Sequence, residues 1–260
     1  MNIDKLKSKI KSKANENNLK VQEMWDKYFF DHFLIRLSKS EEKMNFILKG
    51  GFLLENIVGV KNRTTLDLDF SYRSADINEE EIKNKMINII NVKVNDDIDY
   101  DFLDISPITE DDCGKNGFRV RLNATTGNIK KTFGVDIVCG DVITPNPIKT
   151  TYTTNITEEK IEIYSYNKET ILAEKFQSII DKNINNSRMK DFYDIYILIN
   201  HKEINKDLLH KEYIKSQLDK IINSGLMELQ FNKFITKSKL DVKITYKKAC
   251  DCLLEVFQLI

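Results

Sequence analysis

Proline is almost missing from this chain of 260 residues: there are three, and two of them, Pro145 and Pro147, share the stretch TPNPIKTTYTTNIT. The third, Pro107, stands near the end of the run Tyr100–Ile108. Cysteine is scarce as well, with Cys113 and Cys139 isolated and Cys250 and Cys252 two apart, a spacing that sends side chains to different sides of a helix. That excludes a disulfide framework. Three scattered histidines, His32, His201 and His210, do not supply a zinc site. Net charge is missing too, since 40 basic side chains balance 40 acidic ones. Nucleic acid would therefore have to be bound by a local patch, not by the field of the whole chain. No run approaches the roughly eighteen apolar residues of a membrane span, and the opening MNIDKLKSKIKSK has no secretory core. A protein of the reducing cytoplasm, with no membrane partner, is expected.

What is present is a globular composition, 41% hydrophobic and 31% charged, in a chain long enough for one large domain or two modest ones. Residues 2–14 set lysines around Ile3, Leu6 and Ile10, which reads as a solvated surface helix. From Val21 to Leu37 the residues Met24, Trp25, Tyr28, Phe29, Phe33, Leu34 and Leu37 keep a helical period and predict a core helix. Ile77–Val92 predicts an amphipathic helix with its acids early, as the helix dipole prefers. Strands are predicted at Tyr100–Ile108, Phe118–Asn123 and Lys131–Cys139, separated by the turn-rich DDCGKNG and ATTGN. The threonine-rich TPNPIKTTYTTNIT has no helical period and marks a domain boundary. Beyond it come a last strand near Ile161–Tyr164 and helices at Lys168–Asp181, Met189–Asn200, Leu208–Ile222 and Ile244–Leu259.

The chemistry concentrates between Phe46 and Phe70. Phe46-Ile47-Leu48 reads as a buried strand, Gly50-Gly51 as a turn, and Phe52–Val58 as a helix ending at Gly59. A strand, a glycine turn and a helix start together leave outward N–H groups for an anion. In Leu66-Asp67-Leu68-Asp69-Phe70 the alternation places both aspartates on one strand face and the apolar residues on the other. Carboxylates that close repel unless a cation sits between them, and Mg²⁺ takes oxygen ligands in this way. Asp136, alone in the apolar run from Phe133 to Cys139, fits a third metal ligand or a general base. Further on, Lys175 interrupts an apolar helix, and Arg188, Lys190, Asp191 and Asp194 crowd the next helix start at spacings of three and four. Such spacing is ordinary for surface salt bridges. Arg119 and Arg121 share a strand face and, with the lysine-rich N-terminal helix and the C-terminal lysines, are the candidate RNA surfaces.

The ordered runs FLIRLSKS, FILKGGFLLENIVG, RTTLDLDF, VDIVCGD, ILAEKFQSII and RMKDFYDIYIL resemble the AbiEii/AbiGii-type nucleotidyltransferase toxins of the DNA polymerase β-like superfamily, over roughly residues 25–200. The resemblance implies an α+β fold: a small mixed β-sheet flanked by helices, here residues 1–148, then a helical C-terminal domain, 149–260. By the same resemblance Gly50 and Gly51 match the glycine turn at the nucleotide phosphates, Asp67 and Asp69 the acidic pair, and Asp136 the third strand carboxylate. Lys175 matches the triphosphate-contacting lysine and Asp191 the late catalytic aspartate, with Lys49 and Arg63 as further phosphate contacts. Where many superfamily members have Gly-Ser this chain has Gly50-Gly51, so one hydroxyl contact to phosphate is missing. The expected activity is transfer of a nucleotide from an NTP, with Mg²⁺ (or Mn²⁺) on Asp67, Asp69 and Asp136, to an acceptor such as the 3′ end of tRNA. Either Asp136 or Asp191 would act as base. The expected setting is toxin–antitoxin or phage defence, with a cognate antitoxin protein as partner. Two other functions use the same fold: a small-molecule nucleotidyltransferase, and a catalytically silent binding module.

Overall fold

The structure is a computed structural model that describes residues 3–108, 117–141, 143, 146–182, 189–201, 221–238 and 244–259. The predicted helix Leu208–Ile222 lies almost wholly outside the described residues, as do Arg188, Cys113 and the 111–116 turn. The chain divides into two units. The first holds Met1–Asn56, Thr64–Val142 and Pro147–Tyr166; the second holds Ile57–Arg63, Ile143–Asn146 and Asn167–Ile260.

The first unit is built on a seven-stranded mixed sheet, with strands β1 (Phe46–Lys49), β2 (Leu68–Tyr72), β3 (Asp99–Pro107), β4 (Gly117–Thr126), β5 (Ile129–Cys139), β6 (Ile148–Thr153) and β7 (Lys160–Ser165) in the order β3-β4-β5-β2-β1-β7-β6. β2 runs parallel to β5, and β1 parallel to β7; the other neighbours are antiparallel. Pro107 ends an edge strand, where its missing N–H interrupts nothing. The stretch expected to mark the domain boundary contains β6. Its threonines suit a strand as well as a loop, so composition alone did not separate the two. The main run of the second unit consequently begins at Asn167, later than the boundary expected after residue 148.

Helix α1 (Ile3–Glu16) was expected to be solvated, yet Leu6, Ile10 and Ala14 are buried. Its stripe is short but apolar at spacing four, which is enough to dock. Helix α2 (Val21–Lys39) is the centre of the unit, with every side chain from Met24 to Leu37 buried. Phe30 meets Phe133 of β5 and Phe33 meets Phe70 of β2, with ring centroids 5.1 and 6.1 Å apart. Helix α4 (Glu79–Ile90) opens with a capping box between Asn78 and Glu81 and buries Ile82, Met86, Ile89 and Ile90.

The polar residues of α2 are buried pins that hold the elements around it. Lys27 donates to both oxygens of Glu55 on α3 (Gly50–Val58), at 2.6 and 2.5 Å. Asp31 accepts from Tyr152 Oη and from the Asn155 amide, on the β6–β7 connection. Asp96, just before β3, is gripped by His32 at 2.6 Å and by both terminal nitrogens of Arg36 at 2.8 Å. Lys131 of β5 stands 2.7 Å from Asp26. Buried charges persist only when paired in this way.

In the second unit, α5 (Lys168–Lys182) packs on α6 (Met189–His201), and α6 shares an aromatic core with α7 (Gly225–Lys237) and α8 (Tyr246–Leu259). Phe192, Phe231 and Tyr246 have centroids 5.7 to 6.3 Å apart, and Tyr246 Oη donates to the Ile221 carbonyl at 2.7 Å. Helix α7 was not expected from the sequence.

Candidate active site

β1 ends at Lys49 and α3 begins at Gly50, so the strand turns directly into a helix. Gly50 makes this possible with a φ of +68°, a conformation that L side chains rarely adopt. It has a second duty. A Cβ at Gly50 would overlap Oδ2 of Asp69 and lie 2.9 Å from its Cγ, so the missing side chain is the space that the Asp69 carboxylate uses. Gly51 follows, buried in the first turn of α3, whose N–H groups have no partners within the helix and favour an anion.

Sheet register gathers the charged residues. Lys49 stands opposite Asp69, Asp69 opposite Asp136, Asp136 opposite Arg119, and Arg119 opposite Ser106. This row crosses five strands on the face away from α2, while Leu68, Phe70, Val135 and Ile137 point into the core. Asp67 stands just ahead of β2, and its backbone N–H and one carboxylate oxygen both meet Thr65 Oγ1, at 3.2 and 3.3 Å. Leu66 was expected on the core side; it lies outside the strand and is exposed.

Each cation in the row is held differently. Lys49 donates to Asp141 at 2.7 Å and to Tyr166 Oη at 3.3 Å, and Tyr166 Oη donates to the same Asp141 oxygen at 2.6 Å. All three are largely buried, so this is a fixed knot. Arg119 makes a two-pronged bond to Asp136, Nε to Oδ1 at 2.7 Å and Nη2 to Oδ2 at 2.6 Å, from a side chain 57% exposed. Its pKa is raised by the bond to Asp136 first, then by the charge of Asp136, and further by Asp67 and Asp69. One guanidinium thus sits in the field of all three acids. Arg121 is similarly engaged by Asp104, so neither arginine presents the free charge expected of an RNA surface.

The remaining sequence-predicted residues come together in the second unit. Arg63 Nε donates to Asp194 at 2.7 Å; Lys175 Nζ lies 2.8 Å from Asp191 and 3.2 Å from Asp194; Ser178 Oγ donates to Asp191 at 3.2 Å. Tyr193 Oη bonds the Asn62 carbonyl at 2.7 Å, fastening the segment before Arg63 to α6. The surface salt bridges expected here are buried instead, with Asp191 and Asp194 at 2% and 0% exposure. Burial opposes the charge on Lys175, but Asp194 and Asp191 outweigh it and raise its pKa.

Sequence reasoning missed several partners. Arg119 and Asp136 are equidistant from the Gly127 turn, so the hairpin length alone predicts that they face each other. Asp141 closes the run VDIVCGD and went unused. Nothing in the sequence singled out Tyr166.

Among the described residues, no group of three or more His, Cys, Asp or Glu side chains is placed to hold a metal ion. Asp136 gives both oxygens to Arg119, which leaves Asp67 and Asp69 on the open face. Mg²⁺ is usually held by one or two carboxylates together with substrate phosphates. An all-oxygen donor set, with the Asp69 carboxylate seated in the space that Gly50 leaves, fits such an ion.

A model of the family described as "Nucleotidyl transferase AbiEii toxin, Type IV TA system" matches residues 32–242. No curated protein matches the chain. Among solved structures the chain is similar to JHP933 from Helicobacter pylori, at 18% identity and a TM-score of 0.57, covering 93% of this chain and 92% of that one. It is also similar to a candidate nucleotidyltransferase from H. pylori, at 17% identity and a TM-score of 0.57, covering 93% and 95%. At these identities the likeness is one of fold.

Proposed function

The chain belongs to the AbiEii nucleotidyltransferase toxin family of type IV toxin–antitoxin systems, and from that membership we propose that it moves a nucleotide from an NTP to the 3′ end of tRNA. The observation that supports this most is the register that aligns Asp136, Asp69 and Lys49 in one row, with Asp67 beside it and Gly50 giving Asp69 its space. Asp67, Asp69 and Asp136 would hold Mg²⁺ or Mn²⁺, which when bound neutralises charge on the triphosphate. The first N–H groups of α3 bind phosphate oxygens, which also compensates for the hydroxyl that Gly51 lacks.

Asp136 serves as the base. It takes the proton of the acceptor hydroxyl as that oxygen bonds the α-phosphorus and the bond to pyrophosphate breaks. Asp191 is poorly suited to this role because it is buried at 2% exposure, whereas the Asp136 side chain is 27% exposed. Lys175 and Arg63 stay assigned to phosphate by family resemblance, although both are charge-balanced by Asp191 and Asp194 within their own unit. Family membership implies an antitoxin partner. No helix among the described residues is long and apolar enough to cross a membrane, and the cytoplasm is the compartment that holds the proposed acceptor.

Incubating the purified chain with each α-labelled NTP, Mg²⁺ and total tRNA tests this reading. Label should enter tRNA from at least one NTP and should not do so with Asp69→Asn. Label in a low-molecular-weight alcohol or amine instead would indicate a small-molecule transferase. No transfer from any of the four would sink the proposal.

A further inference from the structure

Of the cations in the charged row, only Arg119 is both engaged with a proposed metal ligand and free to move. Lys49 is locked by Asp141 and Tyr166. Arg119 projects from β4 with more than half of its side chain in solvent, and an exposed ion pair is easily exchanged. The lane beside it is open: Gly134 has no side chain there, and even a Cβ at that position would only reach ordinary contact, 3.8 Å from Arg119 Cδ and Cγ. In its present place the guanidinium neutralises the carboxylate that a divalent cation would otherwise claim.

We propose that Arg119 is a phosphate-binding residue of the active site, held in reserve by Asp136 until a divalent cation takes that carboxylate. The inference rests on the nucleotidyl-transfer reading above and adds to it a residue and an order of events. When the carboxylate of Asp136 turns to the cation, the guanidinium loses its partner one strand away from the acids. Two oxygens of one phosphoryl group of a triphosphate offer it the same two-pronged geometry that Asp136 did. The exchange makes cation and triphosphate binding cooperative. Without the triphosphate, Arg119 competes against the cation; with it, Arg119 contributes to binding.

The full chain and two variants test this in opposite directions. Mn²⁺ alone is titrated and free Mn²⁺ read by electron paramagnetic resonance; an α,β-methylene nucleoside triphosphate is then titrated at saturating Mn²⁺. Arg119→Ala should bind Mn²⁺ alone about three- to tenfold more tightly, having lost the competitor. It should bind the triphosphate about tenfold or more weakly. Arg121→Ala, on the same strand face but paired with Asp104, should change neither. Circular dichroism checks that the folds match. A merely structural role for Arg119 predicts unchanged or weaker Mn²⁺ binding, and either result overturns the proposal, as does unchanged triphosphate affinity. If the unaltered chain binds no Mn²⁺ that Asp69→Asn abolishes, the metal-dependent reading fails first, and the inference with it.

Discussion

Gly50 and Asp69 share one volume: the carboxylate of the second fills the position where a side chain on the first would begin. The turn from β1 into α3 and the placement of the acid are therefore one constraint. Gly50→Ala should push the Asp69 carboxylate aside while the left-handed backbone costs about 1 kcal/mol. Nucleotidyl transfer should fall by about a hundredfold, the penalty typical of a catalytic group displaced by roughly an ångström. Label transfer and a thermal melt on the same preparation check both parts.

Asp31 makes stability depend on pH. Burial raises its pKa from 3.8 to about 6, against the lowering effect of its bonds from Tyr152 and Asn155. Because the folded pKa lies above the unfolded one, the folded chain binds the proton more tightly. The stabilisation is complete below pH 3.8 and is lost as pH rises through about 6. Its size is on the order of 3 kcal/mol. Melting temperatures of the unaltered chain and of Asp31→Asn should diverge in slope between pH 3.8 and about 6, the variant lacking the decline attributable to this group.

Lys27 and Glu55 are at 0% and 5% side-chain exposure, and the pair ties α2 to α3. Lys27→Ala leaves Glu55 buried without its ammonium and should cost about 3–5 kcal/mol. Replacing both with apolar residues of similar size should recover most of that loss. Urea unfolding of the two variants separates the outcomes. Equal destabilisation in both would mean that packing, not charge, holds the helices together.

The buried quartet of Arg63, Asp194, Lys175 and Asp191 predicts a similar asymmetry in the second unit. Asp194→Asn removes the charge that faces both cations and should destabilise the chain by about 3–5 kcal/mol. Asp191→Asn leaves Asp194 in place for Arg63 and Lys175 and should destabilise it less. Denaturant midpoints for the two variants, compared directly, decide the order.

The sequence made the individual elements visible and concealed what joins them. The helical period of α2 was plain, but it did not reveal that Lys27, Asp31, His32 and Arg36 would be buried, because the pattern cannot show that a helix is enclosed on every side. Leu68 and Phe70 alternate with Asp69, which fixed the face that carries the acid. Nothing local revealed that Asp136 would be the neighbour of Asp69, since parallel pairing of β2 and β5 depends on the whole sheet order. β6 was hidden in a stretch read as a domain boundary, because threonine and proline serve both loops and edge strands. Asp194 was visible as part of a charge run, and only burial distinguishes a structural quartet from a solvated one.

The parallel pairing of β1 with β7 has a consequence on the ribosome. Lys49 and its partner Tyr166 are 117 residues apart in the chain. Until Ser165 has emerged, the edge of β1 that β7 will cover has no strand to meet. Long-range closure of this kind is slow compared with local helix formation. A nascent chain of this design therefore stays unassembled around Lys49 until its synthesis is well past the midpoint.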